Sequence, residues 1–408
     1  MKAVFCTYDG KNIINGVNTW LLTLLPALQS NGITVKVIAI AWAPENECTT
    51  IPLLRDQGIE CSIIDSKGYT ERQVKWILNY VNREVPDVFI ANNMLPAYYA
   101  SKWIQQAGIP VISVLHNDNP EYEAVLEEFA SGKNDFRFSA IVAVSEHLKD
   151  KLIPYSKDIL IKKIPCGVTV SNSKSTYTLN QLFKIAYVGR LVQEQKNIAA
   201  VIKAFCETVT TLPNVEAYVY GSGPDTEIID QILKEFNYPE RLILKGNLPH
   251  NQVKKELLEI NTIALMSDYE GLPVSLMEAM ALGVVPVCTR IKSGVSELVI
   301  DGVTGLYIDK PGDYTNKVKW MIQNPDEWEK LSVNAKEHIR KNYAADKCMV
   351  DWMSLFNEIK PVKKQTIKIP SKIKLPQYNP NLSNADNREP ALWVKGYRKV
   401  KRTLSFNA

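Results

Sequence analysis

The stretch Lys184-Ile-Ala-Tyr-Val-Gly-Arg190-Leu-Val-Gln-Glu-Gln-Lys-Asn197-Ile-Ala-Ala-Val-Ile-Lys-Ala-Phe-Cys-Glu-Thr-Val209 decides the fold. A β-rich run, Lys184–Val188, breaks at Gly189 and passes through a charged loop into a helix-length segment, Asn197–Val209. The same unit recurs downstream, with strands predicted at Val215–Tyr220, Leu242–Leu244, Thr262–Met266 and Val284–Val287. Helices are predicted at Thr226–Phe236, Val253–Ile260, Val274–Leu282 and Asp326–Lys341. Upstream, β-rich runs stand at Lys2–Cys6, Thr34–Ile40, Cys61–Ile64, Asp87–Ala91, Val111–Leu115 and Ala140–Val144. The first is followed by a helix carrying Trp20, Leu21, Leu24, Leu25 and Leu28, expected to kink at Pro26 and to end near Gly32. Strands alternating with helices build a parallel sheet covered on both faces. The polar stretch Ser171–Gln181 interrupts the rhythm as a linker. The expectation is an α/β chain of two Rossmann-like, doubly wound domains, residues 1–170 and 183–342, joined by 171–182 and facing a cleft. In such sheets ligands sit beyond the carboxyl ends of the strands.

The 408 residues suit two domains, and 46% apolar with 23% charged residues is an ordinary globular balance. The longest strongly apolar run, Val35–Ala43, is far short of the ~20 residues that cross a bilayer, and the amino terminus lacks an apolar signal region. Together with seven scattered cysteines and no C-x-x-C pair, this points to reduced thiols and a cytoplasmic protein. The net charge of +4 hides a split: from Pro361 onward 11 Lys and Arg face 2 acids, while the preceding 360 residues are net −5. An amphipathic segment with Met349, Trp352, Met353 and Phe356, within 343–360, is expected to pack back on the body. Residues 361–380 suit an extended segment rather than a packed one. Beyond Pro390, Trp393, Tyr397, Val400 and Leu404 form one stripe of a basic amphipathic helix, suited to docking on an anionic membrane surface.

The chemistry concentrates after strands. In Glu270-Gly-Leu-Pro-Val-Ser-Leu-Met-Glu278-Ala-Met-Ala-Leu-Gly283, Pro273 suits a first helical turn and Gly283 the C′ position. The helix N-terminus offers free N–H groups to an anion, with two carboxylates placed to accept hydrogen bonds from sugar hydroxyls. Gly189-Arg190-Leu191 with Lys196-Asn197 places two cations beside a backbone able to approach a diphosphate. Gly221-Ser-Gly-Pro follows another strand but lacks the third glycine of a dinucleotide fingerprint. His116-Asn117 ends the strand Val111–Leu115, and Gly16 opens space near the first helix. No acidic or His/Cys ligand cluster is present, so neither metal nor cofactor is expected.

Over residues 1–358 these pieces resemble the retaining GT-B glycosyltransferases of family four: Gly16, His116, Val144-Ser145, Pro165-Cys-Gly-Val, Val188-Gly-Arg-Leu with Gln195-Lys-Asn, Gly221-Ser-Gly-Pro, and Glu270-x7-Glu278. The resemblance implies a nucleotide-sugar donor held mainly by the second domain, with UDP favoured by family frequency. Arg190 and Lys196 would bind the diphosphate, Glu278 the ribose, and Glu270 with the backbone of Gly271 and Leu272 the donor sugar. His116 would contact the sugar from the opposite wall, and Gly16 and Gly221 would line the site. Asn15-Gly16 replaces the family's frequent Gly-Gly, and Cys166-Gly167 stands where Asn-Gly is usual. The acceptor would be a glycan or lipid-linked glycan of surface polysaccharide assembly, reached from the membrane surface through residues 361–408. The competing classes are a nucleotide-sugar epimerase or phosphorylase of the same architecture, and a non-enzymatic nucleotide-sugar- or nucleic-acid-binding protein. Basicity confined to the tail disfavours nucleic acid.

Overall fold

A computed structural model describes residues 1–13, 15–131, 135–155, 157, 159–178, 181–359, 363–382 and 386–390. The basic amphipathic helix expected beyond Pro390 lies outside them.

The first domain is built on β1 (Lys2–Asp9), β2 (Thr34–Ala41), β3 (Glu60–Asp65), β4 (Val88–Ala91), β5 (Val111–Leu115), β6 (Ala140–Ala143) and β7 (Leu160–Lys163), all parallel, in the order β3-β2-β1-β4-β5-β6-β7. The second holds β8 (Phe183–Val188), β9 (Val215–Tyr220), β10 (Leu242–Gly246), β11 (Thr262–Leu265), β12 (Val285–Thr289) and β13 (Leu306–Ile308), in the order β10-β9-β8-β11-β12-β13. In both sheets the strand order reverses beside the first strand, at β1/β4 and β8/β11, and such switch points open the crevice in which ligands bind. The central strands β1 and β4 are almost wholly buried, hence their unbroken apolar runs. Two edge strands escaped the sequence reading. Leu160–Lys163 is half-buried and ends in two lysines, and Leu306–Ile308 is three residues long, so neither carries a strong apolar signature.

The first helix runs unbroken from Gly16 to Ser30 with Pro26 inside it, and Gly32 follows with φ +85°. Within Ser171–Gln181 the chain is pinned to the second domain. The Ser175 N–H donates to the Leu282 carbonyl (2.7 Å), and Tyr177 packs edge-on against Phe183 and Trp328. After the helix Pro325–Asn342 the chain crosses back: the Val168 N–H donates to the Tyr343 carbonyl and the Ala345 N–H to the Val168 carbonyl. The helix Ala345–Glu358 then buries Trp352 against Trp20 (5.8 Å) and Phe5 (6.4 Å) of the first domain.

The expectation that residues 361–380 would be extended without packing is corrected. The segment is extended, but it is strapped onto the first domain. Ile367, Ile373 and Leu382 are buried, the Gln365 N–H donates to the Ala107 carbonyl, the Ile367 N–H to Asn82 Oδ1 (3.0 Å), and Lys364 pairs with Asp87 (2.6 Å). Alternating Ile-Lys-Ile at 367–369 turns isoleucines inward and Lys368 outward, so apolar residues too sparse for a core of their own complete another's.

Candidate functional site

The two switch points face each other across a cleft of about 700 Å³, a size suited to a small ligand. Gly16, His116, Arg190, Lys196, Gly221, Glu270, Leu272 and Glu278 all line it. Gly271 is the ninth residue singled out from sequence, and its backbone sits where the domains nearly touch. A Cβ there would fall 1.9 Å from the His116 carbonyl oxygen.

The second-domain wall begins where β8 ends. Gly221, after β9, has φ +136°, and a Cβ on it would lie 1.9 Å from the Gly189 oxygen; two strand exits therefore pack backbone to backbone. This packing leaves Arg190 at the rim, exposed, with a guanidinium N–H donating to Gln195 Oε1 at 2.7 Å. Lys196 ends the short helix Gln193–Lys196 and pairs with Glu270 at 2.5 Å, with only 14% and 6% of the two side chains exposed. Gln195 ties the same loop to the next by donating to the Tyr269 carbonyl (3.3 Å). The helix Val274–Ala281 follows, and its N-cap residue Pro273 offers no side-chain cap, so first-turn N–H groups open onto the cleft beside Pro273, Val274 and Ser275. Pro273 stands at the N-cap position rather than inside the first turn, because its ψ of 107° is extended. Glu278 lies one turn in, where its carboxylate meets His250 Nε2 (2.5 Å) and Lys254 (3.6 Å).

The first-domain wall meets this corner with a second helix N-terminus. The helix Gly16–Ser30 is capped by Asn15, which accepts from the Asn18 N–H, and a Cβ on Gly16 would lie 3.1 Å from Val274 Cγ2. Two helix N-termini and two cations thus line the same cleft. His116 sits deeper, edge-on to Trp20 (ring centroids 5.0 Å), its Nε2 at 2.7 Å from Asn92 Oδ1 and its Nδ1 at 3.9 Å from Cys166 Sγ. Burial pushes the imidazole down to about 3, so the ring is neutral at physiological pH. Asn92 accepts from Nε2–H, and the remaining Nδ1 lone pair faces the Cys166 thiol. The cysteine at the usual Asn-Gly position therefore touches a residue of the cleft.

Gln195, His250, Lys254 and Asn92 were not singled out from sequence. Asn92 directly follows β4, and Gln195 lies inside the Gln-Lys-Asn motif; position past a strand's carboxyl end was the available signal. His250 and Lys254 had none, because their helix is brought to Glu278 only by the order of strands β10-β9-β8-β11. Among the described residues there is no cluster of His, Cys, Asp and Glu able to hold a metal, and no helix long and apolar enough to cross a membrane.

The profile of the family described as Glycosyl transferases group 1 matches residues 172–338, and that of Glycosyltransferase Family 4 matches residues 14–172. The chain belongs to these glycosyltransferases. The enzyme is 23% identical over 369 residues to alpha-monoglucosyldiacylglycerol synthase of Acholeplasma laidlawii, covering 82% of this chain and 91% of that one. It is 24% identical over 298 residues to N-acetyl-alpha-D-glucosaminyl L-malate synthase of Bacillus anthracis, covering 68% and 76%. Among solved structures, Anabaena Alr3699/HepE in complex with UDP-glucose superposes with a TM-score of 0.72 at 18% identity, over 88% of this glycosyltransferase and all of that chain. The fold is GT-B: two Rossmann-like parallel sheets facing a cleft.

Proposed function

We propose that this glycosyltransferase moves a sugar from a UDP-sugar to a glycan or lipid-linked glycan acceptor with retention of configuration, in cell-surface polysaccharide synthesis. The observation that carries the reading is the convergence of Arg190, Lys196 and two helix N-termini on the cleft, with Glu270 and Glu278 beside them. In the proposed reaction the bond between the anomeric carbon and the diphosphate breaks, and the bonding pair leaves with the diphosphate. Arg190, Lys196 and the first-turn N–H groups of Val274–Ala281 stabilise that growing charge electrostatically. The acceptor hydroxyl oxygen bonds to the anomeric carbon from the departing group's face, and its proton passes to a diphosphate oxygen. Glu278 accepts from ribose hydroxyls and shares them with His250; Glu270, oriented by Lys196, accepts from a donor-sugar hydroxyl. His116, being neutral, contacts the sugar as a polar, uncharged wall.

UDP is favoured because neighbours of this fold are complexes with UDP and UDP-glucose. A surface-glycan acceptor is favoured by relatives such as the lipopolysaccharide 1,6-galactosyltransferase of Escherichia coli, 24% identical over 260 residues. The solvent-facing lysines of the strap, Lys363, Lys368, Lys372 and Lys374, support docking of the first domain on an anionic leaflet from the cytoplasmic side.

Isothermal titration with UDP, GDP and their sugar conjugates tests the donor site. Micromolar binding of UDP is expected, weakened at least ten-fold by Arg190→Ala and by Glu278→Ala. No nucleotide binding, or binding indifferent to both substitutions, would overturn the reading. Release of UDP that rises only with added acceptor separates transfer from epimerase or phosphorylase chemistry.

A further inference from the structure

The C-terminal strap does more than cover the first domain. Leu382, 1% exposed, lines the cleft itself, on the same wall as Tyr8, Trp42, Tyr98 and Tyr122. It is held there by a tight turn, its N–H donating to the Asn379 carbonyl (3.1 Å), and by a polar knot four residues on. Asp386, its side chain fully buried, accepts from Thr70 Oγ1 (3.0 Å), the Tyr99 hydroxyl (3.2 Å) and Arg388 Nε (2.8 Å). Arg388 also donates to Tyr99 Oη (3.0 Å) and to the Pro376 carbonyl (2.5 Å), closing the loop of strap that contains Leu382. Tyr99 and Tyr98 are neighbours on the helix Leu95–Gln106, so one helix carries both the knot's anchor and a residue of the cleft wall.

The character of that wall is distinctive. Tyr8 and Trp42 lie ring to ring at 5.2 Å, and Trp42 is half exposed at 51%. Among the described first-domain and strap residues lining the cleft, the one charged side chain is the Glu121 carboxylate; the cations, Arg190 and Lys196, are across on the second domain. Aromatic faces with a carboxylate and the amides of Asn93 and Asn117 suit the apolar face and hydroxyls of a sugar ring. They oppose a phosphate group, which would meet Glu121 with no compensating cation.

We propose that the strap is part of the acceptor site: Leu382, pinned by the Asp386–Arg388–Tyr99 knot, completes a pocket for one uncharged glycosyl unit of the acceptor. This rests on the glycosyltransfer reading above, naming its acceptor-side chemistry and a specificity residue for it. Leu382 acts by contact with that unit, and Asp386 and Arg388 act through it as positioning residues.

Saturation-transfer NMR with the 4-nitrophenyl glycosides of glucose, galactose and N-acetylglucosamine, on the full chain at saturating UDP, tests this. At least one glycoside is expected to bind, with affinity falling at least five-fold in Leu382→Ala and about three-fold in Arg388→Gln, while UDP affinity measured separately is unchanged. Leu382→Met, which keeps the volume, should bind as the parent does and guards against a folding artefact. Glucose 1-phosphate should bind at least ten-fold more weakly than the best glycoside. Undiminished glycoside binding in Leu382→Ala, no glycoside binding while UDP binds, or equal binding of glucose 1-phosphate would each overturn the strap proposal alone. Failure of the parent to bind UDP would overturn the glycosyltransfer reading and the proposal with it.

Discussion

Lys196 and Glu270 form a pair that the enzyme cannot lose by halves. With side chains 14% and 6% exposed, each is desolvated and each neutralises the other. Removing one partner of a buried pair strands a charge and costs about 3–5 kcal/mol, whereas replacing both by uncharged groups of similar shape is often near neutral. Lys196→Met is therefore expected to lower the melting temperature sharply, and Lys196→Met/Glu270→Gln to restore most of it without restoring turnover. Calorimetry beside a UDP-release assay measures both; a double variant as unstable as the single one would contradict the pairing argument. His116 makes a second residue-level prediction, in pH. Its folded value of about 3 lies below its ordinary 6.5, so between those values the unfolded chain binds the extra proton. The His116 contribution is complete above pH 6.5 and is lost as pH falls towards 3, at up to about 1.4 kcal/mol per unit. His116→Gln should flatten that part of the stability profile in urea titrations across pH 4–7, and an unchanged slope would mean the ring is not held neutral.

At the scale of elements, the glycines separate two kinds of contact. Gly221 meets Gly189 inside the second domain, so Gly221→Ala combines a clash at 1.9 Å with a φ of +136° and should destabilise that domain and abolish UDP binding. Gly271 meets the His116 carbonyl at the same 1.9 Å, but across the cleft, where the two domains can part. Gly271→Ala should therefore keep its melting temperature and bind UDP within about three-fold of the parent, yet lose at least a hundred-fold in transfer, because the walls no longer close. Parallel titration and turnover assays would refute this if binding and transfer fell together. The same contrast explains what could be read in advance. The cleft position of Arg190, Lys196 and Glu270 could be read because each follows a strand end in an apolar-to-polar switch that the sequence displays directly, and that of Glu278 because it lies one turn into the helix after such an end. Leu160–Lys163 and Leu306–Ile308 were not, since edge strands that short or that polar carry no periodicity. The strap was misjudged because Ile367, Ile373 and Leu382 are buried by the first domain's surface, more than 250 residues away in the chain, a partner no local pattern reveals.

Across the whole molecule, the two walls of the cleft are joined by the crossing at residues 343–345 and by side-chain bonds beside it. Beside that crossing, Glu297 of the second domain accepts from the Glu146 N–H (2.6 Å) and pairs with Lys163 (2.6 Å) of the first, with 16% and 23% of the charged side chains exposed. Its backbone carbonyl is in turn held by His338 (2.8 Å) and the Tyr343 hydroxyl (3.3 Å), next to the crossing itself. Glu297 therefore acts as a clasp between the domains, and its carboxylate bonds favour the arrangement the structure holds. Losing about 1–2 kcal/mol of that preference would shift the closed-to-open ratio roughly 5–30-fold. A ligand bridging both walls can restore closure only through its own differential affinity for the closed state. In Glu297→Ala, small-angle scattering should show a radius of gyration above the roughly 22 Å of a compact chain this long, returning to the parental value when UDP-sugar is added. The donor's apparent affinity should fall by the same factor as the closed population, with turnover at saturation little changed. Scattering curves that coincide for variant and parent without ligand would show that the crossing alone, and not the clasp, sets the width of the cleft.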